Sequence, residues 1–280
     1  MGARPYLRCE KALWDELTQA MARAGINQLV IDLGDAVRYE SHPEIAVEGA
    51  WSVDALRAEL TRLRGLGLEP IPKLNFATTH DVWLGEYSRM VSTPTYYRVV
   101  SDLIGEVCQL FDSPRLFHLG MDEEGLPCQR EYEYVVIRQH NLWWRDLAFY
   151  CNECEKRGAR PWVWADHLWH YPETYLEKMP RSVLQSNWHY DRPPLDPENR
   201  GVKAYRQLEA HGYDQIPTGS NWSSPENFGA TVAYARETIA SERLLGFLQT
   251  VWRPTMPAYR ERHLAAIEQA GAARQAFSPG

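Results

Sequence analysis

The chain has 280 residues, of which 44% are hydrophobic, and its formal net charge is −7 at pH 7. This length and apolar content suffice for one large core and favour a single domain over residues 1–280. The acidic balance argues against a nucleic-acid partner, and no stretch reaches the ~18 consecutive apolar residues of a membrane span.

Eight short apolar runs alternate with eight helical patterns along the chain. The predicted strands are residues 4–9, 27–33, 68–76, 115–121, 160–166, 182–188, 213–219 and 244–252. The predicted helices are residues 11–24, 52–65, 93–111, 131–156, 172–179, 196–211, 224–241 and 257–271. Eight such units predict parallel strands with right-handed crossovers, hence an α/β fold of the (β/α)8 TIM barrel type. An open doubly wound sheet is the alternative, although its glycine-rich phosphate turn is missing.

The fourth predicted strand ends in three acidic residues, Asp122, Glu123 and Glu124. Because side chains alternate along a strand, His118, Gly120 and Asp122 share one face, whereas Glu123 lies where the strand gives way to a loop. Two carboxyls held together in a partly dry cleft cannot both ionise easily, so one pKa is expected to be raised. Glycoside hydrolysis needs such an acid to protonate the leaving oxygen. A helix cap or a solvated loop is the alternative.

The C-terminal strand ends, where (β/α)8 barrels carry their active sites, hold polar and aromatic residues. The candidate site residues at these ends are Asp35, Asn75, His80, His118, Asp122, Glu123, Trp164, Asp166, Trp188, Tyr190, Trp222 and Trp252. Because sugars lay their C–H faces on aromatic rings, four tryptophans around two acids predict a carbohydrate pocket. Core filling is the alternative explanation for each tryptophan taken alone.

The five cysteines are Cys9, Cys108, Cys128, Cys151 and Cys154. An odd number without a regular framework is typical of reduced thiols, so a cytoplasmic location is expected. Cys151 and Cys154 lie inside a predicted helix without a second CxxC pair, which argues against zinc. The sequence therefore predicts neither a metal nor a cofactor.

The segment His118-Leu119-Gly120-Met121-Asp122-Glu123 resembles the His-x-Gly-Gly-Asp-Glu signature of family 20 glycoside hydrolases, the β-N-acetylhexosaminidases. Residues 35–44 are similar to the loop after that family's second strand, and residues 67–72 are similar to its third strand. The residues that resemble the family's pocket tryptophans are Trp164, Trp188 and Trp252.

The chain also departs from the family's pattern. Met121 replaces the second glycine, Asn75 stands where the family has aspartate, and the Pro-Gly before the family's histidine, here His80, is missing. No Tyr-Asp follows the seventh predicted strand, which leaves Tyr190 as the candidate for holding the acetamido oxygen. Family 123 hexosaminidases, which have an adjacent acid pair, are similar to nearly the same degree.

The resemblance implies a retaining exo-β-N-acetylhexosaminidase that releases GlcNAc or GalNAc from a carbohydrate partner. The substrate's own 2-acetamido oxygen would attack the anomeric carbon. Glu123 would serve as acid and then base, Asp122 would hold the acetamido N–H, and His118 would brace the pair through hydrogen bonds. An interior histidine without such a role is the alternative for His118, and the oligomeric state, including a homodimer, stays open.

Three other functions fit the sequence. A metal-dependent hydrolase would use Asp166, His167 and His170, with His80 and Asp81 as further ligands, although the spacing matches no strong metal motif. A degenerate barrel that binds glycans without cleaving them would account for the missing strand-seven tyrosine. A glycosidase for sugars without an acetamido group would keep both acids.

Overall fold

Residues 5–277 are described by a computed structural model and contain nine short strands and ten α-helices. The strands are β1 (Gln28–Asp32), β2 (Val37–Arg38), β3 (Trp51–Ser52), β4 (Glu69–Lys73), β5 (Leu116–His118), β6 (Arg160–Trp164), β7 (Leu184–Ser186), β8 (Thr218–Ser220) and β9 (Leu248–Thr250). The α-helices are α1 (Lys11–Arg23), α2 (Val53–Gly65), α3 (Pro94–Leu110), α4 (Leu126–Gln129), α5 (Asn141–Glu155), α6 (His167–His170), α7 (Pro172–Lys178), α8 (Arg200–Ala210), α9 (Asn227–Thr238) and α10 (Arg260–Phe277). Among these described helices, none combines the length and the apolar content that a bilayer crossing requires.

The first of two compact units comprises residues 5–7, 30–64 and 70–167. Four of its strands follow the order β1-β4-β5-β6, and β2 pairs separately with β3. Lys73 lies opposite His118, and His118 lies opposite Trp162, in parallel register. Because parallel strands end at the same edge of a sheet, the residues that follow β4, β5 and β6 come together there.

The second compact unit comprises residues 8–29, 65–69 and 168–277. Its strands also pair in parallel: Gln185 lies opposite Gln215, Gln215 lies opposite Leu244, and β8 pairs with β9. Helix α9 packs on β8, and α10 packs on β9 and α1. The parallel pairing in both units confirms the predicted α/β class, while the single domain over residues 1–280 stays a prediction.

The long helix predicted over residues 131–156 is wrong over residues 131–140. Helix α4 ends at Gln129, and α5 begins only at Asn141. The Gln129 side chain donates to the carbonyl of Val136 (2.8 Å) and accepts from its N–H (2.9 Å), so these backbone groups do not join a helical ladder. His140, with a left-handed φ of +53°, then separates this loop from α5.

The first predicted strand, residues 4–9, is reduced to isolated bridges. Tyr6 pairs with Glu48 and Cys9 pairs with Thr255, while Arg4 lies outside the described residues. The other seven predicted strands occur as β1, β4, β5, β6, β7, β8 and β9, all shorter than predicted.

The predicted helix faces supply the core of the first unit. Leu56, Leu60 and Leu63 of α2 recur at helical spacing and are all buried. The Thr93 side chain accepts from the N–H of Tyr96 and so caps α3, as expected for a threonine just before a helix. Burial of the apolar face, more than helix propensity, stabilises such helices.

Truncating Leu60 tests this core. Leu60 is fully buried, whereas Leu126 in the same unit is 59% exposed, so Leu126→Ala is a matched control. We expect Leu60→Ala to lower the free energy of unfolding by about 2–5 kcal/mol through lost burial and a residual cavity. The control should change it by less than about 0.5 kcal/mol. Urea unfolding followed by circular dichroism measures both, and equal losses would contradict the described packing.

Candidate active site

The acidic loop after β5 has a backbone that bends sharply. Gly120, Met121 and Glu123 have left-handed φ values of +72°, +77° and +58°. A left-handed conformation costs a residue with a side chain about 1–2 kcal/mol. At Gly120 a side chain is also excluded by space, because its Cβ would lie 1.9 Å from Asn75 Oδ1. The predicted alternation of side chains along the strand therefore ends at Gly120, and hydrogen bonds must hold the loop beyond it.

Asn75, which follows β4, holds Asp122 in place. Its Nδ2 donates to Asp122 Oδ1 at 2.8 Å, and its Oδ1 accepts from the N–H groups of Ala77 (3.0 Å) and Met121 (3.2 Å). These contacts fix the orientation of the amide, since its oxygen faces two donors and its nitrogen faces a carboxylate. Asp122 is consequently buried but hydrogen-bonded.

His80 lies between the two acids. Its Nε2 is 3.3 Å from Asp122 Oδ2 and 3.1 Å from Glu123 Oε2. Burial opposes the positive charge, but the Asp122 carboxylate and the hydrogen bonds to Asp122 and Glu123 raise the pKa of His80 to about 10. The imidazole is therefore a cation at neutral pH.

The same cation keeps Asp122 ionised. Burial opposes the negative charge on this carboxyl, but His80, Lys73 and the Asn75 amide lower its pKa to about 2. The expectation that one carboxyl of an adjacent pair has a raised pKa does not hold for Asp122, because a histidine rather than bare solvent separates the acids.

Glu123 has a fixed main chain and an accessible carboxylate. Its N–H donates to Asp166 Oδ2 (2.8 Å), and its carbonyl accepts from Thr79 Oγ1 (2.8 Å). Its side chain is 42% exposed. Two neighbouring strand ends thus hold the backbone of Glu123 while its carboxylate can meet a ligand.

His118 does not brace the acids through hydrogen bonds. Its Nδ1 accepts from the N–H of Gly120 (3.0 Å), and within residues 5–277 its Nε2 has no hydrogen-bond partner. Burial, with help from Lys73, lowers the pKa of His118 well below its ordinary value, so the ring is neutral. Its centroid lies 4.8 Å from that of Trp162 and 4.4 Å from that of Trp164, in a buried aromatic layer.

Asp35, after β1, belongs to the same unit but forms no hydrogen bond with the acid pair in the described part of the chain. Burial raises the pKa of its carboxyl, and the nearby Asp32 carboxylate adds to this shift. The structure therefore brings together Asn75, His80, Asp122, Glu123 and Asp166, with His118 and Trp164 behind them, and leaves Asp35 apart.

The second unit holds its own aromatic group. The rings of Trp188 and Tyr190 stack with centroids 5.0 Å apart, and Trp252 Nε1 donates to the Tyr190 hydroxyl at 3.0 Å. Trp222 is 44% exposed, and the Arg253 guanidinium lies 3.9 Å from its ring centroid. Within this unit, the structure brings three of the four predicted aromatic residues into contact, and Trp222 packs with an arginine.

Residues 5–277 contain one group of three side chains with metal-ligand chemistry, formed by His80, Asp122 and Glu123. Its ligand atoms lie within 4.8 Å of one another, which is close enough for one ion. The Asp122 carboxylate and the hydrogen bonds to Asp122 and Glu123 raise the pKa of His80, so an ion bound here would have to displace a proton from the imidazole. His167 of the metal-dependent alternative stacks flat on Trp143, with ring centroids 3.9 Å apart.

Three residues that surround Asp122 and Glu123 are not among the predicted site residues, namely Thr79, Glu124 and Arg138. Glu124 accepts from the Thr78 N–H at 3.1 Å and pairs with the guanidinium of Arg138. The available signal was Arg138 at the end of the apolar run Val135-Val136-Ile137, but this arginine lies inside the helix predicted over residues 131–156.

Replacing His80 tests whether it carries the bridging charge. A histidine whose pKa is raised on folding contributes its full stabilisation at pH values below the ordinary pKa of 6.5. This contribution is lost as the pH rises through the folded-state pKa of about 10. The lowered pKa of Asp122 contributes above its ordinary 3.8 and is lost as pH falls through about 2. We therefore expect His80→Gln to destabilise the protein most between pH 3.8 and 6.5 and progressively less towards pH 10.

Urea unfolding at a series of pH values measures this difference, with His211→Gln as the control for losing a surface histidine. A wild-type minus His80→Gln difference that stays constant from pH 6.5 to 10 would show that no imidazolium is lost there.

Comparisons by sequence find neither a matching protein-family model nor a matching curated protein. Comparison with solved structures does find similar folds. A β-N-acetylhexosaminidase from Bacteroides fragilis superposes with a TM-score of 0.70 at 14% identity, covering 93% of this chain and 62% of that chain. A family 20 exo-β-N-acetylglucosaminidase from Vibrio harveyi superposes with a TM-score of 0.66 at 15% identity, covering 94% of this chain and 52% of that chain.

Dispersin B superposes with a TM-score of 0.58 at 15% identity, and the two chains cover 95% of each other. A chitobiase from Flavobacterium johnsoniae superposes with a TM-score of 0.64 at 17% identity, and this chain spans 45% of its length. The chain thus spans about half the length of several of these proteins. These likenesses, together with the parallel strand pairing, confirm the predicted (β/α)8 barrel, and the fold of the chain is similar to that of family 20 glycoside hydrolases.

Proposed function

We propose that this chain is a retaining exo-β-N-acetylhexosaminidase, which uses the 2-acetamido group of its substrate to release GlcNAc or GalNAc. The observation that carries the proposal is the His80 bridge between Asp122 and Glu123. The imidazolium keeps the buried Asp122 carboxylate ionised, and the neighbouring Glu123 carboxyl is accessible to a ligand. The likeness in fold to β-N-acetylhexosaminidases and exo-β-N-acetylglucosaminidases supports the same reaction class.

The spacing of the acids supports retention of the anomeric configuration. Oxygens of Asp122 and Glu123 lie within 4.8 Å of each other. Inverting glycosidases keep their two carboxyls about 6.5–9.5 Å apart to leave room for an attacking water. The present pair is too close for that arrangement, so an internal nucleophile supplied by the substrate fits the geometry better.

In the first step, the acetamido oxygen forms a bond to the anomeric carbon while the bond from that carbon to the leaving oxygen breaks. Glu123, protonated, gives its proton to the leaving oxygen. The ionised Asp122 carboxylate accepts a hydrogen bond from the acetamido N–H and stabilises the positive charge that develops on the oxazolinium ring. The lowered pKa of Asp122 suits this role, because a neutral carboxyl would offer no such charge.

In the second step, water attacks the anomeric carbon, the bond from that carbon to the acetamido oxygen breaks, and the water gives a proton to the Glu123 carboxylate, which restores the starting state. The imidazolium of His80 offsets the charge of this carboxylate between the two steps. Asp166 and Thr79 hold the Glu123 main chain from both sides, so the same carboxyl stays in reach of both oxygens.

The second unit contains aromatic faces of the kind that bind sugars. In the second unit, Trp188 and Tyr190 stack on each other, and Trp252 is 40% exposed. Ring faces of this kind pack against the C–H groups of a pyranose, which supports carbohydrate as the partner.

Removing the acid tests the assignment of Glu123. We expect Glu123→Gln to lower kcat for nitrophenyl N-acetyl-β-glucosaminide and its galacto epimer by about 10²–10⁴-fold, because the amide cannot give up a proton to the leaving oxygen. Glu133→Gln, an exposed glutamate in the following loop, is the matched control and should be fully active.

Release of nitrophenol measures both variants, and circular dichroism checks their fold. Full activity of Glu123→Gln would remove this residue from the role of acid. Activity of the wild type that survives a strong chelator separates this mechanism from the metal-dependent alternative, and binding of the sugar without any release of nitrophenol would favour the glycan-binding one.

A substrate without the 2-acetamido group tests whether the acetamido oxygen is the nucleophile. A β-glucoside, which has a hydroxyl in place of the acetamido group, should not be cleaved at a measurable rate, because nothing then attacks the anomeric carbon. A thiazoline derived from the N-acetylhexosamine, which resembles the cyclic intermediate, should inhibit competitively, and Asp122→Asn should weaken that inhibition. Equal turnover of the glucoside and the acetamido substrate would exclude participation by the substrate.

A further inference from the structure

The residue after the proposed acid forms a buried ion pair. The side chains of Glu124 and Arg138 are each 1% exposed. The Glu124 carboxylate accepts from the backbone N–H and the Nε of Arg138, both at 2.9 Å, and from its Nη2. Desolvation offsets most of the attraction in a buried pair, so such pairs contribute little net stability. A role in holding geometry therefore explains this pair better than stability does.

Arg138 ties several parts of the first unit together. One guanidinium nitrogen donates to the carbonyl of Phe76, just after β4, at 2.7 Å. Another donates to the Tyr150 hydroxyl at 2.6 Å and to the Asp146 carboxylate at 3.4 Å, both on α5. The planar guanidinium thus holds Glu124 against two rigid elements.

Glu124 also connects the acidic loop to the segment that carries His80. Its Oε2 accepts from the N–H of Thr78 at 3.1 Å, and the Thr79 hydroxyl donates to the carbonyl of Glu123 at 2.8 Å. These two threonines directly precede His80. Glu124 therefore lies at the point where the position of His80 and the position of Glu123 are set relative to each other.

We propose that the Glu124–Arg138 ion pair is a positioning device that sets the Glu123 carboxyl against the leaving oxygen and against His80. The proposal rests on the hexosaminidase function proposed above. Glu124 and Arg138 touch no substrate in it; they act through the main chain of the acidic loop. Because Glu123 has a left-handed backbone, this loop needs such an external constraint to keep its shape.

The leaving group of the substrate separates this role from simple loss of fold. Methoxyphenol is a poor leaving group and departs from its glycoside only when the glycosidic oxygen is protonated. Dinitrophenol is a good leaving group and departs as the phenolate without help from the acid. We expect Glu124→Gln to lower kcat/KM for methoxyphenyl N-acetyl-β-glucosaminide about 100-fold, the effect of a displaced catalytic group. Its kcat/KM for the dinitrophenyl substrate should stay close to the wild-type value, because kcat/KM depends on the first step and not on the later attack of water.

Two further variants control for stability. Glu153→Gln neutralises another buried carboxylate of the same unit, which lies on α5 and pairs with Arg157 at 2.8 Å. This variant should lower Tm without changing the ratio of the two kcat/KM values. The double variant Glu124→Gln/Arg138→Met removes both buried charges. It should regain Tm relative to Glu124→Gln but keep the altered ratio, because the loop still lacks its clamp.

Each result bears on one proposal. A wild-type ratio in folded Glu124→Gln, an equal loss on both substrates, or a wild-type ratio in the double variant would overturn the positioning role. A wild-type protein that cleaves neither aryl glycoside would instead overturn the proposed function itself. An altered ratio in Glu124→Gln and in the double variant, but not in Glu153→Gln, supports the inference.

Discussion

The contact of the His80 imidazolium with Asp122 and Glu123 is the constraint on which the rest of the site depends. Two unit charges of like sign at 4 Å repel by about 4 kcal/mol at the effective dielectric of a protein surface. The imidazolium between the acids offsets their negative charge, which allows Asp122 to remain ionised although it is buried. The other hydrogen bonds of the loop serve to keep these three side chains within reach of one another.

Much of this arrangement follows from the sequence. The period of two along residues 115–121 and the parallel order of the strands place Asn75, Asp122 and Asp166 at neighbouring strand ends, and the structure has them there. Apolar spacing in α2 and the threonine before α3 likewise predict where those helices lie. These features are local or repeat regularly, so the chain itself carries them.

The features of the site that the sequence does not predict depend on particular side-chain contacts. The position of His118 four residues before Asp122 predicted hydrogen bonds to the acids. Its ring instead packs in a layer with Trp162 and Trp164, and His80 lies beside the acids. Residues 131–140 have helical composition, yet the side chain of Gln129 binds Val136 and the Arg138 guanidinium is drawn towards Glu124. In both cases a side-chain contact overrides the local preference of the backbone.

Met121 combines a left-handed backbone with a buried side chain. Its φ of +77° explains why a glycine suits this position, since a methionine there bears about 1–2 kcal/mol of backbone strain. The methionine side chain is 1% exposed, however, and removing a buried side chain of this size costs about 2–5 kcal/mol. Replacing this methionine by glycine would relieve the smaller penalty and incur the larger one, so the interior contacts of the side chain outweigh the strain of its backbone.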